Sequence, residues 1–145
     1  MYGIIATWRM ALEGISKADS MLKNNKSAAD SIEEAIKAVE DFEYYKSVGY
    51  GGLPNEEMEV ELDAAFMDGD TLEFGCVGGI KDFANPVSIA RSLMHYDANN
   101  FLIGQGAEKY ASRHGFERKT MLTDRAKIHY HNRTKEITNT ELKPY

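Results

Sequence analysis

The chain has 145 residues, 43% of them hydrophobic and 28% charged, which is typical of one globular domain. Its 17 Lys and Arg against 23 Asp and Glu give a formal charge of −6, which argues against nucleic acid or an anionic membrane as partner. One cysteine, no long apolar run and no signal-peptide pattern lead us to expect a reducing, cytoplasmic location.

The first forty residues predict one strand followed by two helices. Residues 3–8 (GIIATW) are apolar and rich in β-branched side chains, which predicts a buried strand. Residues 9–22 repeat apolar side chains every three or four positions, as an amphipathic helix does. A second helix begins at Ser27, with Asp30 three residues later in a near capping box. Its predicted apolar stripe is Ala28, Ile32, Ile36 and Val39, and its predicted wet face is Glu33, Glu34, Lys37 and Glu40.

A glycine-rich loop and a hairpin are predicted next. Residues 47–55 (SVGYGGLPN) form a loop with unusual backbone angles. Residues 59–67 alternate apolar and polar side chains, which is the period of a strand. The Asp-Gly pair at 68–69 is a strong hairpin signal, residues 71–77 form the predicted return strand, and the Gly pair 78–79 ends it.

The remaining residues predict three helices and one short strand. Asn85 and Pro86 open the third helix, since proline suits the first helical position. Residues 101–103 read as a strand, residues 106–114 as a helix stopped by Gly115, and residues 121–133 as a last helix that starts near 123–124. The inner side of the third helix is predicted to be Val87, Ala90, Leu93 and Met94.

The predicted order β-α-α-β-β-α-β-α defines an α+β chain, with helices packed on a mostly antiparallel sheet. We treat residues 1–145 as one unit, in which residues 117–145 form a polar C-terminal segment. About four strands are predicted, and so small a sheet has open edges, which proteins normally pair or cover. The pattern therefore suggests that part of the structure lies outside this chain.

No self-contained active site is evident in the sequence. His129 and His131 resemble a metal pair only if they lie on a strand, whereas the predicted helix makes them diverge, and no third ligand is evident. The carboxylates among residues 56–61 read more simply as the wet face of a strand than as acid–base groups. Cys76 lies in an apolar strand, where a small buried residue is the simpler interpretation than a nucleophile.

Three residues allow a functional reading beside a structural one. Trp8 lies at the C-terminal end of the first predicted strand, so it either borders a site or is a half-buried core aromatic. The Ser47 hydroxyl either holds a substrate or stabilises its own loop. Asp63 stands in an apolar stretch and needs a partner, a cavity or solvent, of which solvent is the simplest.

Five segments in one order, spread over residues 4–116, resemble a known family: IIATW, SVGYGG, LDAAFMDG, GGIKDFANPVSIARSLM and FLIGQGAEKYA. They resemble glycosylasparaginase and, more broadly, the asparaginase branch of the N-terminal-nucleophile hydrolases. SVGYGG favours glycosylasparaginase over the isoaspartyl peptidase branch, which also hydrolyses L-asparagine. ATW in place of the family's usual STW is a minor departure.

The resemblance implies the N-terminal half of an αββα sandwich. A precursor of this family cuts itself into an α chain and a β chain, and the freed threonine of the β chain is both nucleophile and, through its amine, base. The substrate is a glycosylated asparagine or a related β-aspartyl amide, and no metal or organic cofactor takes part. Paired αβ units imply a homo-oligomer.

The resemblance also assigns roles to residues of this chain. Trp8 and Ser47 match substrate-binding positions, Asp63 matches a structural position, and no catalytic residue is expected here. The family's His-Asp pair and catalytic Thr are not found before Tyr145, so the nucleophile is expected beyond it. The chain is therefore interpreted as an α portion that is inactive without its β chain. An inactive, stand-alone α-like module with a binding or structural role is the alternative.

Overall fold

The structure, a computed structural model, describes residues 1–139 and mixes helices with a small sheet, as the predicted α+β class requires. Residues 140–145, the end of the predicted polar segment, lie outside the described residues. Within residues 1–139, no helix is long and apolar enough to cross a membrane. A 3-10 turn (Arg9–Ala11) precedes α1 (Leu12–Lys23) and α2 (Ala28–Glu40). The elements that follow, in chain order, are β1 (Glu61–Met67), β2 (Phe74–Lys81), α3 (Pro86–Leu93), β3 (Phe101–Ile103), α4 (Gly104–Arg113) and α5 (Asp124–Asn139).

The sheet has the strand order β1-β2-β3, with β1 antiparallel to β2 and β3 parallel to β2. The predicted hairpin is confirmed, but its return strand begins at Phe74 and not at residue 71. The Asp68 N–H donates to the Glu73 carbonyl (2.9 Å) and the Leu72 N–H to the Asp68 carbonyl (2.9 Å), so the connection is a longer loop. The predicted end of β2 at Gly78 is also wrong, because the strand continues to Lys81 through an irregular register opposite Leu62 and Ala64.

The main core lies between one face of the sheet and α3 with α4. Close approach of α3 is possible because Gly75 has no side chain: a Cβ there would lie 2.0 Å from the Ala90 carbonyl oxygen. Val87, Ala90 and Leu93 of α3 are buried as predicted, whereas Met94 is partly buried. The buried residues of this core are Val60, Leu62, Phe66, Val77, Ile80, Phe83, Val87, Ile89, Ala90, Leu93, Ala107, Tyr110, Ala111 and Met121.

The other face of the sheet carries apolar side chains that no described residue covers. Cys76 of β2 is registered with Ala65 of β1 and with Phe101 of β3, so these three residues lie on one side. On the same side, Phe101 and Ile103 are 60% and 66% exposed. An apolar sheet face of this kind is normally packed against a second layer.

Helix α2 has the predicted start but an unexpected orientation. The Asp30 N–H donates to the Ser27 hydroxyl (3.0 Å), which is the capping bond that the sequence predicts. The predicted faces are partly wrong, because Ile32 is exposed while Glu40 is buried. The polar side of α2 packs on α3: Glu33 accepts hydrogen bonds from Ser88 and Arg91 of α3. Of its predicted apolar stripe, Ile36 packs against the main core, whereas Ile32 is exposed.

The predicted N-terminal strand is wrong for the described structure. Residues 3–8 have no strand pairing, and Ile5 and Trp8 are exposed rather than buried. A strand exists only through hydrogen bonds to a neighbouring strand, and no described strand runs beside this segment. The later helices begin close to prediction, at Gly104 for α4 and Asp124 for α5, and α5 extends past the predicted end at 133.

Candidate functional site

Trp8 lies on the wall of an apolar groove between the N-terminal segment and the helices α1 and α2. The segment before it is extended, and its own carbonyl accepts the Ala11 N–H (2.9 Å) at the start of the 3-10 turn. The indole is 71% exposed, which excludes the half-buried core role in the described structure. The groove has a volume of about 460 Å³, and Ile15, Ile32 and Val39 are among its lining residues.

Ser47 lies at the mouth of a second cavity, of about 400 Å³, between α2, the glycine-rich loop and β1. The serine is exposed, and within residues 1–139 its hydroxyl has no hydrogen-bond partner. The reading in which this hydroxyl stabilises its own loop therefore has no support from the structure. Gly49 (φ 55°) and Gly51 (φ 81°) have left-handed backbone angles, as the loop prediction requires.

The two cavities share a wall. Ile36 and Val39, on successive turns of α2, line both the groove that holds Trp8 and the cavity that holds Ser47. The structure thus places both predicted substrate-binding residues along one side of α2. This side carries part of the predicted apolar stripe, and Ile36 also packs against the main core there.

Glu40 is a residue of this site that the helical pattern misassigned to solvent. It is 6% exposed and lines the cavity of Ser47. Its carboxylate accepts hydrogen bonds from the Val87 N–H (3.2 Å) and the Asn85 side-chain amide (3.4 Å). The pKa of Glu40 is raised to about 7, chiefly because the carboxyl is buried. The two donors lower the pKa; of the nearby charges, Asp41 raises it and Lys37 lowers it. The helical pattern of α2 cannot reveal that Glu40 is buried, because its hydrogen-bond donors come from α3 and the N-cap of α3.

Asp63 has the structural contact that the resemblance implies. Its Oδ1 accepts the Gly79 N–H (2.8 Å) where the register between β1 and β2 is irregular. This bond pairs a backbone donor that the irregular ladder leaves without a strand partner. Asp63 is exposed and also borders the cavity of Ser47, so its carboxylate links β1 to β2 beside the site.

The other sequence candidates are not assembled into a site. His129 and His131 both lie on α5, as the helix prediction requires, and among the described residues no group of His, Cys, Asp or Glu could hold a metal. Glu59 and Glu61 are paired with Lys81, which accounts for part of the carboxylate cluster. Cys76 is partly buried on the uncovered face of the sheet.

The order of these segments agrees with the sequence comparisons to known proteins. The chain belongs to the asparaginase family, whose model matches residues 5–144. The resemblance found in the sequence is thereby confirmed.

Relatives with different names match the chain at similar identity. It is 34% identical over 120 residues to an N(4)-(β-N-acetylglucosaminyl)-L-asparaginase of Elizabethkingia miricola, covering 83% of this chain and 35% of that protein. It is 37% identical over 124 residues to an isoaspartyl peptidase/L-asparaginase of Rattus norvegicus, covering 81% and 37%. It is 38% identical over 121 residues to a plant-type L-asparaginase of Thermococcus kodakarensis, covering 83% and 35%. The chain thus spans little more than a third of the length of these relatives.

Proposed function

We propose that this chain is the α portion of an amidohydrolase that cleaves the side-chain amide of a glycosylated asparagine or a related β-aspartyl amide. The β chain supplies the threonine nucleophile, so the α portion alone is inactive. Family membership and the names of the relatives support the chemistry. The observation that carries the two-part assembly is the uncovered apolar surface beside Trp8 and Ser47.

The uncovered surfaces support the need for a second chain. The groove at α1 and α2 and the bare face of the sheet meet solvent in the described structure, and exposed apolar patches commonly mark interaction surfaces. A second sheet on the bare face and a strand beside residues 3–8 are what the proposed αββα sandwich requires. The β chain fills both places in this proposal, and αβ units then pair into a homo-oligomer. The single cysteine remains the basis for expecting a cytoplasmic location.

A second substrate class has equal support. The relatives from Rattus norvegicus and Thermococcus kodakarensis are named isoaspartyl peptidase/L-asparaginase and plant-type L-asparaginase. Cleavage of isoaspartyl peptides or of L-asparagine is therefore the alternative. Both reactions release an aspartate, and the site lies on the same side of α2 in each case.

The test is release of aspartate from N4-(N-acetylglucosaminyl)-L-asparagine, from a β-aspartyl dipeptide and from L-asparagine. Each substrate is offered to this chain alone and to this chain assembled with the β portion. We expect turnover only in the assembled protein, because an activated threonine is needed. The preferred substrate separates the two classes. Turnover by the isolated chain would contradict the proposal. Failure of the chain to assemble with the β portion, with no turnover of the three substrates, would support the stand-alone alternative.

Replacement of Trp8 by alanine is expected to raise the KM of the assembled enzyme by about tenfold, since an aromatic contact contributes about 1–1.5 kcal/mol. Thermal unfolding of the 145-residue chain should stay unchanged, because the indole is exposed there. Leu12→Ala is the matched control, since Leu12 is also exposed but does not line the groove. Loss of folding in Trp8→Ala would return Trp8 to a core role.

A further inference from the structure

Glu40 joins two elements that are distant in sequence. It is the last residue of α2, and its carboxylate reaches the first turn of α3, where it accepts the N–H of Val87. Asn85, the N-cap residue of α3, makes no capping bond with its own side chain and instead donates its amide to Glu40 and to Asp41 (2.9 Å). The carboxylate of α2 therefore provides the cap of α3 that the local sequence lacks.

The backbone of the same residue holds the loop that carries Ser47. The Glu40 carbonyl accepts the Tyr50 N–H at 2.7 Å. Gly49 packs directly on the backbone of Glu40, where a Cβ would lie 2.1 Å from the carbonyl oxygen. One residue thus contacts α3 through its side chain and the glycine-rich loop through its main chain.

We propose that Glu40 is a positioning residue, which fixes the loop of Ser47 against α3 and so sets where the Ser47 hydroxyl meets the ligand. Its effect on substrate rests on the proposed function. The cavity supports the role, because Glu40, Ser47 and the backbone of β1 line the same space. Both carboxylate oxygens accept bonds from the protein, so Glu40 acts on the ligand through the loop.

Two substitutions of Glu40 distinguish the need for a hydrogen-bond acceptor from the need for a negative charge. The groups that contact the carboxylate are donors, the Val87 N–H and the Asn85 amide, so a glutamine oxygen in the same place still accepts the Val87 N–H. Alanine leaves that buried N–H without an acceptor. The conservative variant is therefore expected to rescue the position, whereas truncation is not.

The kinetic test uses this chain assembled with its β portion and acting on the best of the three substrates above. We expect Glu40→Ala to raise KM by about tenfold, the size of one lost hydrogen bond, and to change kcat less than threefold. Glu40→Gln should stay within threefold of wild type. The matched control is Glu34→Gln on the same helix, because Glu34 pairs with Lys17 and Lys37 and, within residues 1–139, with no residue of the loop or α3. An unchanged KM in Glu40→Ala, or equal impairment in Glu40→Gln, would overturn the proposal.

A second measurement needs no catalysis. Amide hydrogen exchange on the 145-residue chain should be about tenfold faster at Tyr50 and Val87 in Glu40→Ala than in wild type, and unchanged in Glu34→Gln. If the wild-type assembly turns over no substrate, the proposed function fails, and the exchange rates alone decide the role of Glu40. An exchange rate at Tyr50 in Glu40→Ala equal to that of wild type would then reject the positioning role of Glu40. Should Glu40→Ala not fold, Glu40→Asp, whose carboxylate is retracted by one methylene, is expected to show the same faster exchange.

Discussion

Replacement of Gly49 by alanine is expected to lower the free energy of unfolding by about 3 kcal/mol or more, and to displace the loop that carries Ser47. The backbone at Gly49 has φ 55°, where an L side chain costs about 1–2 kcal/mol. The new Cβ would also lie 2.1 Å from the Glu40 carbonyl oxygen and 2.5 Å from its Cα. These are backbone atoms at the end of a helix, so relief requires the loop to move, at a cost of about 1–3 kcal/mol.

Denaturant unfolding of the 145-residue chain measures this effect, with Gly69→Ala as the control. Gly69 is an exposed glycine of the hairpin loop, and a Cβ there meets nothing within 4 Å. Its replacement should change the unfolding free energy by less than about 0.5 kcal/mol. A Gly49→Ala chain as stable as Gly69→Ala would show that the loop does not pack on α2 as described.

The pH dependence of stability is expected to differ between wild type and Glu40→Gln by up to about 3 kcal/mol. The folded-state pKa of Glu40 is raised from 4.5 to about 7, so the folded chain binds more protons than the unfolded chain between these two values. Ionisation of Glu40 therefore destabilises the fold progressively as pH rises through this window. Glutamine has no such charge, so its stability relative to wild type should increase from pH 4.5 to pH 8.

The measurement is the difference in unfolding free energy between the two chains at several pH values, which removes the contribution of groups they share. For Glu34→Gln, the expected pH dependence of the stability difference from wild type has the opposite sign. Lys17 and Lys37 lower the pKa of Glu34, so the stabilisation by this residue is present above its unfolded pKa and is lost as pH falls below about 4.5. A wild-type minus Glu40→Gln difference that is flat from pH 4.5 to pH 8 would mean that Glu40 is solvated.

The uncovered surfaces connect the fold to the proposed function. The side of α2 that carries Ile36 and Val39 separates the groove of Trp8 from the cavity of Ser47, so both predicted contacts lie where a second chain would pack. A ligand bound there would be enclosed between the two chains. Under the proposed function, this is how the α portion would contribute to substrate binding.

Several features could be predicted because they depend on neighbouring residues alone. The Ser27 cap needs only Asp30 three residues later, and the start of α3 needs only Pro86 at the first helical position. The glycine-rich loop was equally visible, since its left-handed angles occur at glycines. The order of the five family segments identified the candidate site residues Trp8 and Ser47 before any geometry was known.

The sequence by itself therefore determined the helices, the Ser27 cap, the loop and the family, all of which depend on short-range pattern. The tertiary structure alone decided which side of each element is covered. The helical period placed Glu40 in solvent, but α3 brings two donors to it from more than forty residues away. Residues 3–8 have the apolar, β-branched composition of a strand, but no described strand lies beside them to form the hydrogen bonds. Burial and strand pairing are properties of the partner as much as of the segment, so only the assembled elements reveal them.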